Sequence, residues 1–378
     1  MSYKKLLIFL CIFGIFFEIT SFVLSYFKFL PVSRTPKLYS KSTYYDSINE
    51  KNIWGAWRKQ NHIIRHMDSC FDVSYKTNSY GAKDSEFIKE KKNQLKRAIL
   101  LGDSFAEGIG VNNNNTLDTK LEIISNLEIY NFGSAGSFGP LQYYLIYENL
   151  AKQFEHDGII LTFLPANDFV ENDYEFWKEK KWNLIDDDYL IERYRPYYVK
   201  KNNQFEYFIP KNAVKRDKWE SLISKKFYYS LERFLKDNFW SLNFYYSFIY
   251  LKNYSIKNGR EYSGFFDSKI EQQEAAIYFL EKIFNSEKLE FGIIVIIPTV
   301  EDLKRLDSTN NKLEDQYWFK KINNLERKLN YNFTVLNVSD YVSSIEDFKI
   351  LKHQCDGHFN EKGNEFIAKL IYKHLIKD

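Results

Sequence analysis

The sequence predicts an α/β fold, a doubly wound three-layer sandwich built on a mainly parallel five-stranded sheet. Five short apolar runs alternate with longer stretches in which apolar residues recur at helical spacing. Strands that alternate with helices are typical of parallel sheets covered by helices on both faces. A separate apolar run near the N-terminus predicts a transmembrane helix in addition to this fold.

The strand candidates share one pattern. Each is short, is apolar at nearly every residue and is bounded by Gly, Pro or Asn. Strands that are buried on both faces of a parallel sheet have this composition. The five candidates are Ala98–Gly102, Ile129–Phe132, Gly158–Leu164, Phe291–Ile297 and Phe333–Asn337.

Three amphipathic stretches predict helices between and after these strands. Leu141–Phe154 follows Pro140, a residue that favours the first turn of a helix. Ser268–Phe284 and Asn364–Ile376 carry apolar residues three and four positions apart among charged ones. That spacing gives a helix one apolar face for packing against a sheet.

The N-terminal run, Leu6–Phe27, contains one charged residue, Glu18. About twenty apolar residues span a bilayer as a helix, so we favour an uncleaved anchor. The alternative is a cleavable signal peptide, with Val23 and Ser25 as the small residues before the cut. Glu18 would be costly near the middle of a membrane unless it were paired or protonated. Lysines or arginines flank the run on both sides, so charge leaves the orientation open.

The predicted organisation has three parts. Residues 1–30 form the membrane anchor, and residues 31–96 form a juxtamembrane stalk and pre-domain segment that is irregular to about Asn61. Residues 97–378 hold the sheet. At about residues 172–264 the alternation of strands and helices is interrupted. This stretch is rich in Trp, Tyr and charged residues and lacks clean strands. We interpret this stretch as an insertion over the sheet edge, beside the strand ends where such folds bind ligands.

Composition and residue spacing disfavour several classes of function. A net charge of +3 with no basic stripe gives no indication of nucleic-acid binding. No CxxC pair occurs, and His62 and His66, at helical spacing, lack an HExxH context, so we expect neither a metal nor a cofactor. Aromatic residues make up 18% of the chain, which reflects either codon bias or platforms for sugar rings.

One serine lies directly after the first strand candidate, in Gly102-Asp103-Ser104-Phe105. The carboxyl end of a buried strand is the functional edge of an α/β sheet. Gly102 permits a sharp turn there, and a following helix can direct its N–H groups at the serine. This run resembles the GDS(L) block of the SGNH hydrolases.

Three further blocks strengthen this resemblance, in the family's order and at strand ends or a helix entry. The run from Asn131 to Pro140 is similar to the glycine block, and Leu164-Pro165-Ala166-Asn167-Asp168 is similar to the Gly-x-Asn-Asp block with Ala166 in place of glycine. Cys355-Asp356-Gly357-His358 resembles the Asp-His block. The resemblance covers roughly Ala98 to the end, apart from the insertion. It implies a flavodoxin-like SGNH fold.

The resemblance also implies an acyl-enzyme mechanism. Ser104 would be the nucleophile and His358 its base, and the N–H groups of Ser104 and Gly136 with the amide of Asn167 would form the oxyanion hole. The family's Asp-x-x-His spacing would place the acid at Cys355. Here Asp356, two residues before His358, could orient the imidazole if the stretch is extended.

Other residues of the sequence could take these roles. Ser137, in Ala135-Gly136-Ser137-Phe138-Gly139, is one residue short of a G-x-S-x-G nucleophile elbow and lies five residues past its strand. The glycines of the same run could suggest a phosphate loop, but no Lys-Ser/Thr follows. His353 could replace His358 but lacks the Phe-Asn and Gly context. A glycan-binding or scaffolding module without turnover remains the alternative to an enzyme.

The run Tyr75–Asp84, YKTNSYGAKD, resembles an element that precedes the catalytic domain in membrane-tethered members of the family. Those members accompany surface-polysaccharide assembly and face away from the cytoplasm. The resemblance therefore implies a single-pass extracytoplasmic esterase or O-acyltransferase that acts on acyl, chiefly acetyl, esters of a glycan. Its partners would be that substrate, the membrane and an acyl-donor protein in the membrane.

An extracytoplasmic location has a consequence for the cysteines. Cys70 and Cys355 are the only two outside the N-terminal run, and oxidising compartments favour disulfides. We hypothesise a Cys70–Cys355 disulfide that fixes the segment before the first strand next to the Asp-His loop. The alternative is two separate buried thiols, which need no partner.

Overall fold

The computed structural model describes residues 2–27, 42–44, 48–68, 70–91, 95–179, 194–202, 204–211, 213, 231, 234–235, 238–245, 262–285, 289–308 and 312–375. The strands are β1 (Ile48–Asn52), β2 (Gly55–Arg58), β3 (Ile63–Asp68), β4 (Phe71–Lys76), β5 (Lys96–Leu101), β6 (Leu127–Asn131), β7 (Gly158–Phe163), β8 (Tyr197–Lys201), β9 (Gln204–Phe208), β10 (Phe291–Ile296) and β11 (Asn332–Asn337). The α-helices are α1 (Tyr3–Tyr26), α2 (Ser104–Glu107), α3 (Leu117–Ile124), α4 (Pro140–Asn149), α5 (Pro165–Asp168), α6 (Tyr174–Glu179), α7 (Gly264–Asp267), α8 (Ile270–Phe284), α9 (Val300–Ser308), α10 (Tyr317–Asn323), α11 (Leu325–Lys328), α12 (Ile345–Ile350) and α13 (Glu361–Leu375).

The central sheet consists of the five strands that the sequence predicts. They lie in the order β11-β10-β7-β5-β6, and every neighbouring pair is parallel. In chain order this is the 2-1-3-4-5 arrangement of flavodoxin-like folds. The predicted fold class is therefore confirmed.

Both faces of the sheet are buried, because side chains alternate between two cores. In β5, Ile99 and Leu101 face one apolar cluster, whereas Ala98 and Leu100 face the other. The first cluster is completed by α4, α8 and α10, and the second by α3, α9, α12 and α13. Two helical layers around one sheet make the three-layer sandwich.

The predicted helices are present with small shifts at their ends. The stretch predicted from Leu141 forms α4 from Pro140 to Asn149 and continues as a short 3-10 turn, Ala151–Gln153. The other two predicted helices are α8 and α13. The N-terminal run forms α1, the only helix among the described residues that is long and apolar enough to cross a membrane. Most of its apolar side chains are exposed, so α1 is not a core helix.

The segment before the sheet is more regular than predicted. The part that was expected to be irregular, to about Asn61, contains the antiparallel hairpin β1–β2, and a second hairpin, β3–β4, follows it. Trp54, Trp57 and Phe87 of this segment are buried in the same apolar cluster as β5 and β7. The sequence pattern of these strands is weak because they are short and mixed in polarity. Their packing against the sheet domain stabilises them.

The insertion also contains strands, which corrects the prediction that it has none. Strands β8 and β9 form a hairpin, and Asn202 between them has a positive φ of 48°. The hairpin packs on α8: Lys200 pairs with Glu274, and the rings of Phe205 and Tyr278 lie 5.6 Å apart. Residues 180–193 and most of 214–261 of the predicted insertion lie outside the described residues.

A buried ion pair connects the first hairpin to the sheet domain. Arg58 at the end of β2 lies 2.8 Å from Glu107 of α2, and both side chains are almost fully buried. Arg58 Nη2 also donates to the carbonyl of Gly133, and its Nε donates to that of Gly81. One side chain thus holds together three segments of the chain.

Replacing Arg58 with Met should lower the free energy of unfolding by about 3–5 kcal/mol, because the Glu107 carboxylate would remain buried without its counter-ion. Chemical denaturation of the full chain in detergent measures this loss. Arg65→Met is the matched control, since Arg65 forms an exposed pair with Asp72 on the next hairpin. Exposed pairs contribute little. Equal losses in the two variants would contradict the prediction.

Candidate active site

The predicted blocks meet at the carboxyl edge of the sheet, where β5 and β7 lie side by side. Ser104 follows β5, the glycine run follows β6, and Asn167 follows β7. Between β5 and β7 the strand order reverses, which is where folds of this topology open a crevice for ligands. The topology therefore brings residues from three chain segments to one place.

The turn that presents Ser104 depends on Gly102. Its φ is +145°, and a Cβ at this position would lie 2.0 Å from Thr162 Oγ1, so a larger residue would not fit. Asp103 then caps α2 by accepting a hydrogen bond from the Phe105 N–H at 2.9 Å. Ser104 is consequently the first residue of a short helix and is only 7% exposed.

Ser104, His358 and Asp356 form a continuous hydrogen-bonded chain. Ser104 Oγ lies 2.7 Å from His358 Nε2, and His358 Nδ1 lies 2.8 Å from Asp356 Oδ1. An imidazole held in this way by a carboxylate has its proton on Nδ1, which leaves Nε2 free to accept the proton of the serine. The arrangement is that of a nucleophile, a base and an orienting acid.

Asp356 reaches His358 through a turn rather than through the extended stretch that we expected. Gly357 between them has a φ of +80°, and Asp356 Oδ1 also accepts the backbone N–H of His358 at 2.9 Å. Burial alone would raise the pKa of Asp356, but its hydrogen bonds to His358 and the charge of that histidine together lower it. The carboxylate therefore stays ionised at neutral pH.

The two other predicted oxyanion donors lie against the serine turn. The Ser134 N–H donates to the carbonyl of Gly102, which holds the loop of Gly136 beside α2, and Gly136 itself has a φ of +113°. Asn167 Nδ2 donates to Asp103 Oδ2 at 3.4 Å, next to Ser104 in the chain. The loop of Gly136 and the Asn167 side chain therefore lie beside the turn that carries Ser104.

Two buried carboxyl groups lie beneath this site. Asp103 and Asp168 are fully buried, and burial raises the pKa of each, while the charge of Asp103 raises that of Asp168 further. Asp168 accepts hydrogen bonds from the Tyr143 hydroxyl at 2.6 Å and from the Leu164 N–H at 2.8 Å. These bonds fix α5, and the hydrogen bond to Asp103 fixes the position of the Asn167 amide.

The segment before the sheet supports the same loops, a role that the sequence did not reveal. Glu107, paired with Arg58, accepts the Ala135 N–H at 2.5 Å, one residue before Gly136. Buried Lys83 donates to the carbonyls of Gly108 and Val111 after α2, and burial lowers its pKa to about 7. The sequence carries no signal for this role, because Lys83 and Glu107 look like ordinary surface charges until the fold buries them.

The hypothesised disulfide is confirmed. Cys70 and Cys355 are bonded, with their Cα atoms 5.7 Å apart. Cys355 directly precedes Asp356, and Cys70 lies between β3 and β4. The disulfide therefore joins the second hairpin to the loop that carries Asp356 and His358.

The residues that the sequence offered as alternatives, Ser137, His353 and His66, make other contacts. Ser137 has a strained φ of +65° and is half-buried in the loop after β6. His353 donates its backbone N–H to the His358 carbonyl, and its ring lies 4.9 Å from that of Phe71, so it serves the contact with the second hairpin. His66 is not helical but lies in β3, stacked on Tyr44, and burial lowers its pKa to about 4.

Replacing Asn167 with Ala should lower kcat by about 10²–10³-fold with little change in KM, because an oxyanion donor acts mainly in the transition state. Steady-state kinetics with a small aryl acetate measure both constants. Asn149→Ala, which removes a similar side chain from α4, is the control. An effect confined to KM would assign Asn167 to substrate binding instead.

Comparison with protein-family models finds no family that matches this chain. Comparison with curated proteins also finds no match. Among solved structures, the chain is similar to a candidate lipolytic protein of the G-D-S-L family from Desulfitobacterium hafniense DCB-2, at 11% identity and a TM-score of 0.32. The match covers 74% of this chain and 98% of that chain. A similarity this distant carries no argument about function.

Proposed function

We propose that this protein is a membrane-anchored serine esterase or O-acyltransferase. The observation that supports this most directly is the hydrogen-bonded chain of Ser104, His358 and Asp356 at the carboxyl edge of the sheet. Those three groups, in that order, perform nucleophilic acyl transfer in hydrolases of unrelated folds. A residue with only a structural role at position 104 would not need a histidine base.

In the proposed reaction, Ser104 Oγ attacks the carbonyl carbon of an ester while its proton moves to His358 Nε2. The tetrahedral intermediate collapses, the ester C–O bond breaks, and the proton passes from Nε2 to the leaving alcohol. The resulting acyl-enzyme is then attacked by water or by a sugar hydroxyl, with His358 again taking the proton. The bond between the acyl carbon and Ser104 Oγ breaks, and Nε2 returns the proton to Oγ. Asp356 stabilises the imidazolium at both stages.

The developing oxyanion would be stabilised by the backbone N–H groups of Ser104 and Gly136 and by the Asn167 amide. Each such donor contributes about 3 kcal/mol when it is aimed at charge that exists only in the transition state. The fixed turns around Gly102 and Gly136 and the Asp103–Asn167 bond support this role, because preorganised donors need no rearrangement during the reaction.

We infer that the substrate is an acyl ester, chiefly acetyl, of a glycan. The resemblance of the Tyr75–Asp84 run to membrane-tethered relatives and the many aromatic residues of the insertion support this inference. Water and a sugar hydroxyl attack the same acyl-enzyme, so hydrolase and transferase share all the chemistry described above. A transferase would additionally hold its acceptor and exclude water, and it would receive acyl groups from a membrane donor protein.

We further propose that α1 anchors the protein and that the sheet domain lies outside the cytoplasm. The exposure of the apolar side chains on α1 supports the anchor. The Cys70–Cys355 disulfide supports an oxidising compartment, since such bonds persist mainly in extracytoplasmic proteins.

The deciding experiment incubates the full chain in detergent with an acetyl-ester donor and candidate glycans. Free acetate and acetylated glycan are measured side by side, and a fluorophosphonate probe reports the labelled serine. Labelling of Ser104 with turnover would support the enzyme, and the product ratio would separate hydrolase from transferase. Glycan binding without labelling or turnover would favour the non-catalytic module.

A further inference from the structure

The single acidic residue of α1, Glu18, bonds to the distant insertion. Glu18 Oε1 accepts the backbone N–H of Trp240 at 2.6 Å. Its Oε2 accepts the N–H and the hydroxyl of Ser241 at 3.1 and 2.7 Å. One carboxylate thus receives three hydrogen bonds from two residues more than two hundred positions away in the chain.

The position of Glu18 along α1 sets the depth of this contact. Glu18 lies eight positions before Tyr26, the last residue of α1, which at 1.5 Å per residue places it about 12 Å from the end of the helix. The hydrocarbon core of a bilayer is about 30 Å thick. If α1 crosses a bilayer, Trp240 and Ser241, which bond to Glu18, would lie at the same depth.

Inside a membrane this contact satisfies both partners. An isolated carboxylate at hydrocarbon depth is costly, and backbone N–H groups there must find partners within the protein. Glu18 supplies the acceptor for Trp240 and Ser241, and they supply its donors. The contact therefore offsets the free-energy cost of placing an unpaired Glu18 carboxylate in a membrane.

The face of α1 that carries Glu18 is also covered by protein. Ser21 and Ser25, three and seven positions on, are each only 3% exposed. The Phe22 ring lies 5.6 Å from that of Trp240, which is 4% exposed. Small residues four positions apart allow close packing between membrane segments. The opposite faces of α1, in contrast, are lined by exposed apolar side chains.

The insertion presents apolar side chains of its own beside this contact. Phe234 and Tyr245 are 56% and 54% exposed. The Phe239 N–H donates to the Leu235 carbonyl and the Asn243 N–H donates to that of Phe239, which is helical bonding. From Asn238 to Leu251 the sequence NFWSLNFYYSFIYL contains no charge. An uncharged run of fourteen residues is too short to span a bilayer, and interfacial or re-entrant segments have this length.

We propose that residues 238–245 are a second membrane-embedded element, held against α1 by Glu18 and facing the hydrocarbon of the bilayer. This inference rests on the proposed membrane anchor. The same insertion returns to the sheet domain at Gly264, where a Cβ would lie 2.1 Å from the backbone of Ala166, next to Asn167.

The test uses the full chain in phosphatidylcholine proteoliposomes, with the environment-sensitive dye NBD on single cysteines in a Cys11→Ser background. Cys70 and Cys355 stay bonded under non-reducing conditions. The probe site is Tyr245→Cys, Phe13→Cys on α1 is the membrane control, and Ile123→Cys, an exposed position of α3, is the aqueous control. Lipids with a nitroxide on the acyl chain quench dyes that lie in the hydrocarbon.

The expected result is strong quenching at positions 13 and 245 and none at 123. Quenching at 13 but not at 245 would overturn the inference and leave the anchor intact. No quenching at 13 would overturn the anchor and the inference together. Adding Glu18→Leu should remove the quenching at 245, whereas Glu18→Gln, which keeps one acceptor oxygen, should retain part of it. Full quenching in Glu18→Leu would show that Glu18 does not hold the element.

Discussion

Replacing Ser104 or His358 with Ala should lower kcat for a small aryl acetate by about 10⁵–10⁶-fold. The two side chains act as one unit, since Nε2 accepts the proton that Oγ must lose, and removal of either therefore costs nearly as much as removal of both. The double variant should be no slower than either single variant within experimental error. Steady-state turnover and fluorophosphonate labelling measure the loss.

Asp356→Asn should lower kcat by less, about 10⁴-fold. An amide at this position favours the wrong tautomer of His358 but does not remove the base. Ser137→Ala is the matched serine control, since it tests the rival nucleophile of the same loop system. Circular dichroism should show that all variants are folded. Full activity in Ser104→Ala, or a loss in Ser137→Ala as large as in Ser104→Ala, would refute the assignment.

Much of this architecture could be predicted because it depends on local sequence patterns. Each central strand is a short apolar run, since both faces of a parallel strand are buried, and all five observed strands begin and end within two residues of their predicted bounds. The blocks around Ser104, Asn167 and His358 follow strands or precede the last helix, so the topology alone brings them to one edge.

Other features could not be predicted, because they depend on partners distant in the chain. Arg58 and Glu107 look like ordinary surface charges until the first hairpin places them together. The hairpins have short strands of mixed polarity, and their order comes from packing on the sheet domain. Asp356 does hydrogen-bond to His358, but the positive φ of Gly357 that allows the contact cannot be inferred from the spacing.

Removing the disulfide should lower both the free energy of unfolding and the rate of turnover. A Cys70→Ser, Cys355→Ser double variant opens a loop with a sequence separation of 285 residues. In the chain-entropy model, a loop of that length contributes about 5–6 kcal/mol to the free energy of unfolding. Denaturation of the full chain in detergent should show a loss of this size, with Cys11→Ser, which removes the free thiol, as the unaffected control.

Turnover should fall as well, because the disulfide ends one residue before Asp356. Without it, the turn that presents Asp356 to His358 keeps the backbone bonds between His353 and His358 but loses its covalent link to the second hairpin. The aligned triad is then populated for a smaller fraction of the time, which lowers kcat more than KM. This loss should be measured well below the midpoint of unfolding, where both proteins are folded. A double variant that matches Cys11→Ser in stability and kcat would show that the hairpin holds the loop without the bond.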